Sequence, residues 1–426
     1  MKRLFITLFS IYIAITMSFA QKADVQVGEL INTGNWFELE RVYPAAKDDI
    51  QTPLLNLMAE VMLASNFNRP DELREKLPKL IAEHQAELGF ENVCNLTIMG
   101  AIIEGFNGNY GVAADMIGDI ANAVKSATGS LEGTGIEELL AYYDVMRQLP
   151  APALEKPDSD VMISFSEISG TLLWLPVCIN DKTYDFILDT GASTSLISND
   201  IAKEIGAYII GDSIFVGGAT GGGNLQRAFI KEMNIGSISF KNVLTFVNDN
   251  SAPAEVPFKV DAVLGMDFIE RLGEIQIDMA DMTLIIPAQK TALPEYGRNI
   301  LLDQNIPIIE AIDGMGNRMT FTLDTGHSSA DLSDNWFSMN TKTANTLLIE
   351  TENIWGHGGT IQQAIVKVPE YTISIGDMPI TFNNISAFVP NGNEATSPHD
   401  GNLGMELLKK CKKLTINFDE MFVKLE

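Results

Sequence analysis

One eight-residue segment occurs twice in this chain. Phe186-Ile187-Leu188-Asp189-Thr190-Gly191-Ala192-Ser193 returns as Phe321-Thr322-Leu323-Asp324-Thr325-Gly326-His327-Ser328, with the aspartates 135 positions apart. Each copy ends a strand-like apolar run at a tight turn, where glycine lets the backbone bend and approach a neighbour closely. A single Asp at a strand end commonly caps its own turn. That accounts for one copy, but not for two that keep Asp, Thr, Gly and Ser in one frame. Asp189 and Asp324 are therefore expected to face each other and share a proton, as a general acid–base pair does.

The repetition extends beyond the motif. Leu175-Pro176-Val177 matches Ile306-Pro307-Ile308, and Asn234-Ile235-Gly236 matches Ser374-Ile375-Gly376. Val263-Leu264-Gly265-Met266 matches Asn402-Leu403-Gly404-Met405, and residues 275–286 and 414–425 both read as closing strand pairs. The pattern predicts two duplicated all-β lobes, residues 161–290 and 291–426, formed of short alternating strands.

Residues 21–149 read differently, with apolar residues at helical spacing. Gly34-Asn35-Trp36 and Gly108-Asn109-Tyr110 mark turns 74 positions apart, with Asn66 to Pro70 near the middle. Three helix–turn–helix units of roughly 37 residues fit that spacing. Residues 96–114 loosely resemble a tetratricopeptide repeat, so a helical-repeat domain is expected, either as a spacer or as a surface for a protein partner. Pro150, Pro152 and Pro157 break helical continuity, which places a linker at 150–160. Residues 1–20 have the pattern of a secretory signal: Lys2 and Arg3, an apolar stretch, then Ser18-Phe19-Ala20. An exported chain, periplasmic or secreted, is the expectation, with no membrane span after signal removal.

Asp-Thr-Gly after a hydrophobic strand, a Gly-rich segment, and an apolar pair before Gly265 together resemble the retropepsin-like aspartic proteases. Their recurrence in both lobes is similar to the bilobal plan of pepsin-like enzymes, with more compact lobes. The resemblance implies an acid-protease barrel pair that hydrolyses peptide bonds in extended polypeptides through Asp189, Asp324 and an activated water, without a cofactor; the alternative is a catalytically idle bilobal scaffold that binds peptides or partners. The short connection from Pro287 to Arg298 allows the lobes to pair within one chain, so a monomer is expected rather than a homodimer. The resemblance further implies that Thr190 and Thr325 tie the two turns together across the pseudo-twofold axis. Gly191 and Gly326 would allow their close approach, and Ser193 and Ser328 would orient the outer carboxylate oxygens. The Gly-rich segment 215–223, with Gly217 and Gly218, stands where the family has its flap, and Gly356 stands in the equivalent segment of the second lobe. A phosphate-cradling loop is the rival for the first segment, but the Lys-Ser/Thr ending is missing. Neither segment carries the Tyr of pepsin flaps. Neither Asp-Thr-Gly is followed by Ser or Thr, which in this family implies a raised dyad pKa and an optimum in mildly acidic to neutral conditions.

His327 occupies a position where the family usually has a small residue, and it would crowd the dyad or add positive potential beside it. His327, His357 and His399 fall on three motif elements of the second lobe. Separate hydrogen-bonding histidines are the simpler reading, and a metal site the competing one. Cys94, Cys178 and Cys411 lack metal-ligand spacing and are expected to be buried free thiols. A formal net charge of −27 argues against nucleic acid and anionic membrane surfaces as partners.

Overall fold

The computed structural model describes residues 22–166, 171–218, 221–248, 260–356, 359–390 and 397–426. The expected signal segment and His357 lie outside them. The chain divides into two compact units, Met1–Ala151 and Pro152–Glu426.

The first unit is helical. Helices span Lys22–Thr33, Trp36–Ala46, Pro53–Asn66, Pro70–Phe106, Tyr110–Thr128 and Ile136–Met146, and consecutive helices pack on one another. The turn residues read from sequence start and stop them. Gly34 and Gly108 adopt positive φ, Asn35 accepts from the Glu38 N–H at 3.2 Å, and Pro70 sits in a first turn; Pro53, not read as a turn signal, does the same. The long helix is broken at Gly89 (φ 78°), so it acts as two helices in the packing. Leu39, Met58, Leu80, Ala113 and Ile117 are fully buried at the helix contacts.

Among the described residues the second unit is built of three sheets. In the first eight-stranded sheet, Lys182–Leu188 lies antiparallel to Trp174–Ile179 and parallel to Ala262–Leu264. In the other, Arg318–Leu323 lies antiparallel to Ile306–Asp313 and parallel to Gly401–Leu403. Each aspartate therefore follows a strand wedged between two others, with Phe186, Leu188, Leu264, Phe321, Leu323 and Leu403 buried beneath it. A five-stranded sheet joins the lobes: hairpins 274–286 and 413–425 pair through Glu274–Asp278 and Lys413–Asn417, with Ile275 opposite Ile416. Glu274, almost fully buried, bonds Thr291 and Asn417 there, which fixes the passage from one lobe to the next.

Two expectations need correction. Residues 153–155, assigned to the linker, form an edge strand of the first lobe, with Leu154 opposite Phe240. Flanking prolines are tolerated at a sheet edge, so the Pro signal did not mean absence of a strand. The three cysteines are free, but only Cys411 is buried; Cys94 and Cys178 are half-buried.

Candidate active site

The two Asp-Thr-Gly turns meet, and their contacts are reciprocal. Thr190 Oγ1 donates to the Leu323 carbonyl at 2.7 Å and accepts from the Thr325 N–H at 3.0 Å. Thr325 Oγ1 donates to the Leu188 carbonyl at 2.6 Å and accepts from the Thr190 N–H at 3.0 Å. Both threonines have no exposed surface. The Asp189 N–H donates to the Leu264 carbonyl and the Asp324 N–H to the Leu403 carbonyl, each at 3.0 Å, so the downstream apolar pairs hold the loops from behind.

The glycines are required by distance. A Cβ on Gly191 would stand 2.3 Å from Asp324 Cγ, and one on Gly326 would stand 2.3 Å from Asp189 Cγ. A Cβ on Gly265 or Gly404 would meet the Ala192 carbonyl at 2.6 Å or the His327 carbonyl at 2.2 Å. Those carbonyls also accept from Met266 and Met405 N–H, both at 2.8 Å.

Gly191 N–H donates to Asp189 Oδ1 and Gly326 N–H to Asp324 Oδ1, each at 2.9 Å. Burial pushes Asp189 well above the usual carboxylate range. The charge of Asp324 and a hydrogen bond with it act in the same direction, against the Gly191 and Ala192 N–H groups. A second carboxylate this close disfavours the charged form of Asp189.

Ser193 and Ser328 do not take the expected part. Ser193 is half-buried and Ser328 exposed, and among the described residues neither hydroxyl bonds a dyad carboxylate. The inward hydroxyl is that of Ser195, which bonds Asp267 Oδ1 at 2.7 Å and accepts from Gly265 N–H at 2.8 Å. The second lobe answers with Ala330 N–H to Glu406 Oε2 at 3.3 Å.

Gly217 and Gly218 pair with Gly222 and Gly221 near the end of one long hairpin, and Gly356 pairs with Gly359 near the end of another. Gly221 (φ 124°) and Gly359 (φ 113°) adopt backbone angles that other residues rarely reach. Both lobes therefore carry a flap-like hairpin, and Phe215 on the first is two-thirds exposed.

The lobes differ beside their carboxylates. Asn402 Nδ2 lies 3.4 Å from Asp324 Oδ2. His327 Nε2 lies 3.0 Å from Asp331 Oδ2 and 3.0 Å from Ser329 Oγ. Burial disfavours the charged His327 ring, but its bond to Asp331 and the charges of Asp331, Asp324 and Glu352 outweigh this and raise its pKa. Burial raises Asp331 too, and His327 offsets part of that rise. Sequence reading placed His327 here, but not Asp331, nor the amide of Asn402. His399 has other partners, Thr320 at 3.3 Å and Asp303 at 3.5 Å.

Residues 175–271 match the family model of the gag-polyprotein putative aspartyl protease. The matched interval holds Asp189, the first flap and Gly265, so likeness of sequence supports the retropepsin-like reading where the geometry does. No curated protein matches the chain. Among solved structures it is similar to a retropepsin-like aspartic protease from Rickettsia conorii, at 18% identity over 32% of this chain and 92% of that one, with a TM-score of 0.23.

Proposed function

We propose that the β-rich unit is an aspartic endopeptidase acting on extended polypeptides, with Asp189 and Asp324 as its dyad and each lobe a copy of one ancestral unit. The observation that carries the reading is the reciprocal approach of the two turns. Each glycine yields its side-chain space to the other lobe's carboxylate, and each threonine ties the other lobe's backbone. A lone turn-capping Asp requires neither.

The chemistry follows from a pair sharing one proton. The ionised carboxylate takes a proton from a water lying between the two as the water oxygen attacks the scissile carbonyl carbon. The neutral carboxyl gives its proton to the carbonyl oxygen. Collapse of the tetrahedral intermediate breaks the C–N bond: the proton taken from the water passes to the leaving nitrogen, and one hydroxyl of the intermediate returns its proton to the dyad as the product carbonyl forms. No covalent intermediate forms. The flap hairpins offer backbone N–H and C=O groups to a substrate laid out as an added strand, and their glycines permit opening for release. Both carboxylates come from one chain, which supports action as a monomer. Export from the cell and a protein partner on the helical unit belong to the same proposal.

The test is cleavage of an unbiased peptide mixture from about pH 3 to 8, run beside D189A and D324A. Cleavage present in the wild type and lost in both variants is expected. Folded wild type that cleaves nothing would sink the reading in favour of a peptide-binding scaffold, and an optimum below about pH 3 would contradict the raised dyad.

A further inference from the structure

At three matched positions around the dyad the lobes carry opposite chemistry. In the first, Ala192, Leu196 and Val263 pack with Trp174 and Ile187 as an apolar cluster, with Leu196 opposite Val263 across the strand pair. In the second, the same positions hold His327, Asp331 and Asn402, with Asp331 opposite Asn402 in the same register. The matched positions around the Asp189 turn therefore offer no side-chain donor, whereas Asp324 has an amide donor at Asn402 and an imidazole at His327 on its side.

We propose that Asn402 and the His327–Asp331 pair are positioning residues that hold the dyad in one charge state, with Asp324 ionised and the shared proton on Asp189. This deepens the peptidase reading and rests on it for its consequence in catalysis. An amide N–H₂ can only donate, so Asn402 Nδ2 toward Asp324 Oδ2 favours the carboxylate over the acid. Among the described residues Asn402 Oδ1 is buried without a hydrogen-bond partner, a cost that the contact to a charged acceptor would offset. A protonated His327 adds positive charge on the same side, held there by Asp331 and Ser329. Burial of Asp189, with Val263 in place of a side-chain donor, acts in the opposite direction and favours its neutral form against the Gly191 and Ala192 N–H groups.

The other charges facing His327 have their own partners. Glu352, on the flap strand Ile349–Gly356, is bonded by Ser386 at 2.9 Å and Lys367 at 3.4 Å. Glu406, behind the second turn, is occupied by Ala330 N–H at 3.3 Å and by Lys410 at 3.9 Å and is not among the charges that act on His327. Asp331 remains the anion bonded directly to the imidazole. Asp324 then becomes the base toward water, and Asp189 the acid toward the carbonyl oxygen.

The test needs a readout that a merely structural role would not move. Purified protein carrying ¹³C-labelled aspartate carboxyl groups is titrated by NMR, with signals assigned through D189N and D324N, and kcat/KM for peptide hydrolysis is recorded across the same pH range. The first ionisation of the wild-type pair is expected at Asp324. Asn402→Val, which installs the first lobe's residue, should move that ionisation and the acid limb of the rate profile upward by about one pH unit. His327→Ala should shift both in the same direction, and it carries the test if Asn402→Val does not fold. Val263→Asn added to Asn402→Val should move the ionisation to Asp189 and restore the acid limb. A first ionisation at Asp189 in the wild type, or Asn402→Val titrating like wild type, overturns the assignment. A shifted NMR titration without hydrolysis in any form supports the assignment while sinking the peptidase reading.

Discussion

Thr190→Val tests how the two turns are joined. Valine nearly matches threonine in shape, so the change removes one hydroxyl and little volume. The Thr325 N–H then loses its acceptor in a site with no solvent, and the Leu323 carbonyl loses one donor. An orphaned buried donor costs about 1–3 kcal/mol and a lost neutral hydrogen bond about 1 kcal/mol, so a loss of about 3 kcal/mol is expected. Thr325→Val orphans the Thr190 N–H and frees the Leu188 carbonyl in the same way, and should cost the same within about 0.5 kcal/mol. Thr190→Ser keeps the hydroxyl and should lose only about 1 kcal/mol, the worth of one buried methyl. The double valine variant should cost less than the sum, because the first change already loosens the network. Urea unfolding of the full chain, followed by tryptophan fluorescence, reads this directly: Trp174, Trp336 and Trp355 lie in the β-rich unit and only Trp36 in the helical one. A Thr190→Val cost no greater than that of Thr190→Ser would refute the reasoning. So would costs for the two valine variants that differ by more than about 1.5 kcal/mol, since reciprocal contacts predict reciprocal losses.

Gly191→Ala and Gly326→Ala should each reduce kcat/KM at least about 100-fold, because a Cβ 2.3 Å from the opposite Cγ forces the carboxylates apart by about an ångström; steady-state kinetics within tenfold of wild type would contradict this. Asp267, half-buried behind the first turn, is pushed by desolvation from 3.8 up to about 6, so its contribution to stability is full below its unfolded pKa and is lost as pH rises through about 6. Asp267→Asn keeps an acceptor for Ser195 without the charge. It should match wild type near pH 4 and exceed it by up to about 3 kcal/mol above pH 7, measured by urea unfolding at both values; a larger deficit at the higher pH would refute the account.

What was legible in the sequence is what two lobes must do identically. The Gly191 and Gly326 approaches could be anticipated because a turn packed closely on a matching turn has no room for a Cβ, and the Thr190–Thr325 exchange because the resemblance to the retropepsin-like proteases implied it. Hydroxyl direction is not legible in that way. Ser193 recurs as Ser328, yet the serine that reaches inward is Ser195, whose second-lobe counterpart is Ala330. In a strand leaving a tight turn, inward and outward positions alternate, and the phase depends on the turn rather than on residue type. The strand at residues 153–155 escaped because three residues between prolines carry too little periodicity to register. Asp331 and Asn402 did leave a signal, as breaks in the repeat opposite Leu196 and Val263, but their meaning depends on strand register.

Where a contact is reciprocal, a change in one lobe injures the other, so both copies stay alike. Where a side chain touches one carboxylate only, as Asn402 touches Asp324, its counterpart at Val263 can change without penalty to the other half. A dimer of identical chains cannot use this freedom, because any donor placed beside one aspartate appears beside its mate, and the proton is then shared evenly. Two lobes in one chain can carry a donor on one side and hydrocarbon on the other. On the proposed peptidase reading, the divergence at Ala192/His327, Leu196/Asp331 and Val263/Asn402 lies where a single-chain arrangement would gain something that a symmetric one cannot have: a fixed acid and a fixed base before substrate arrives.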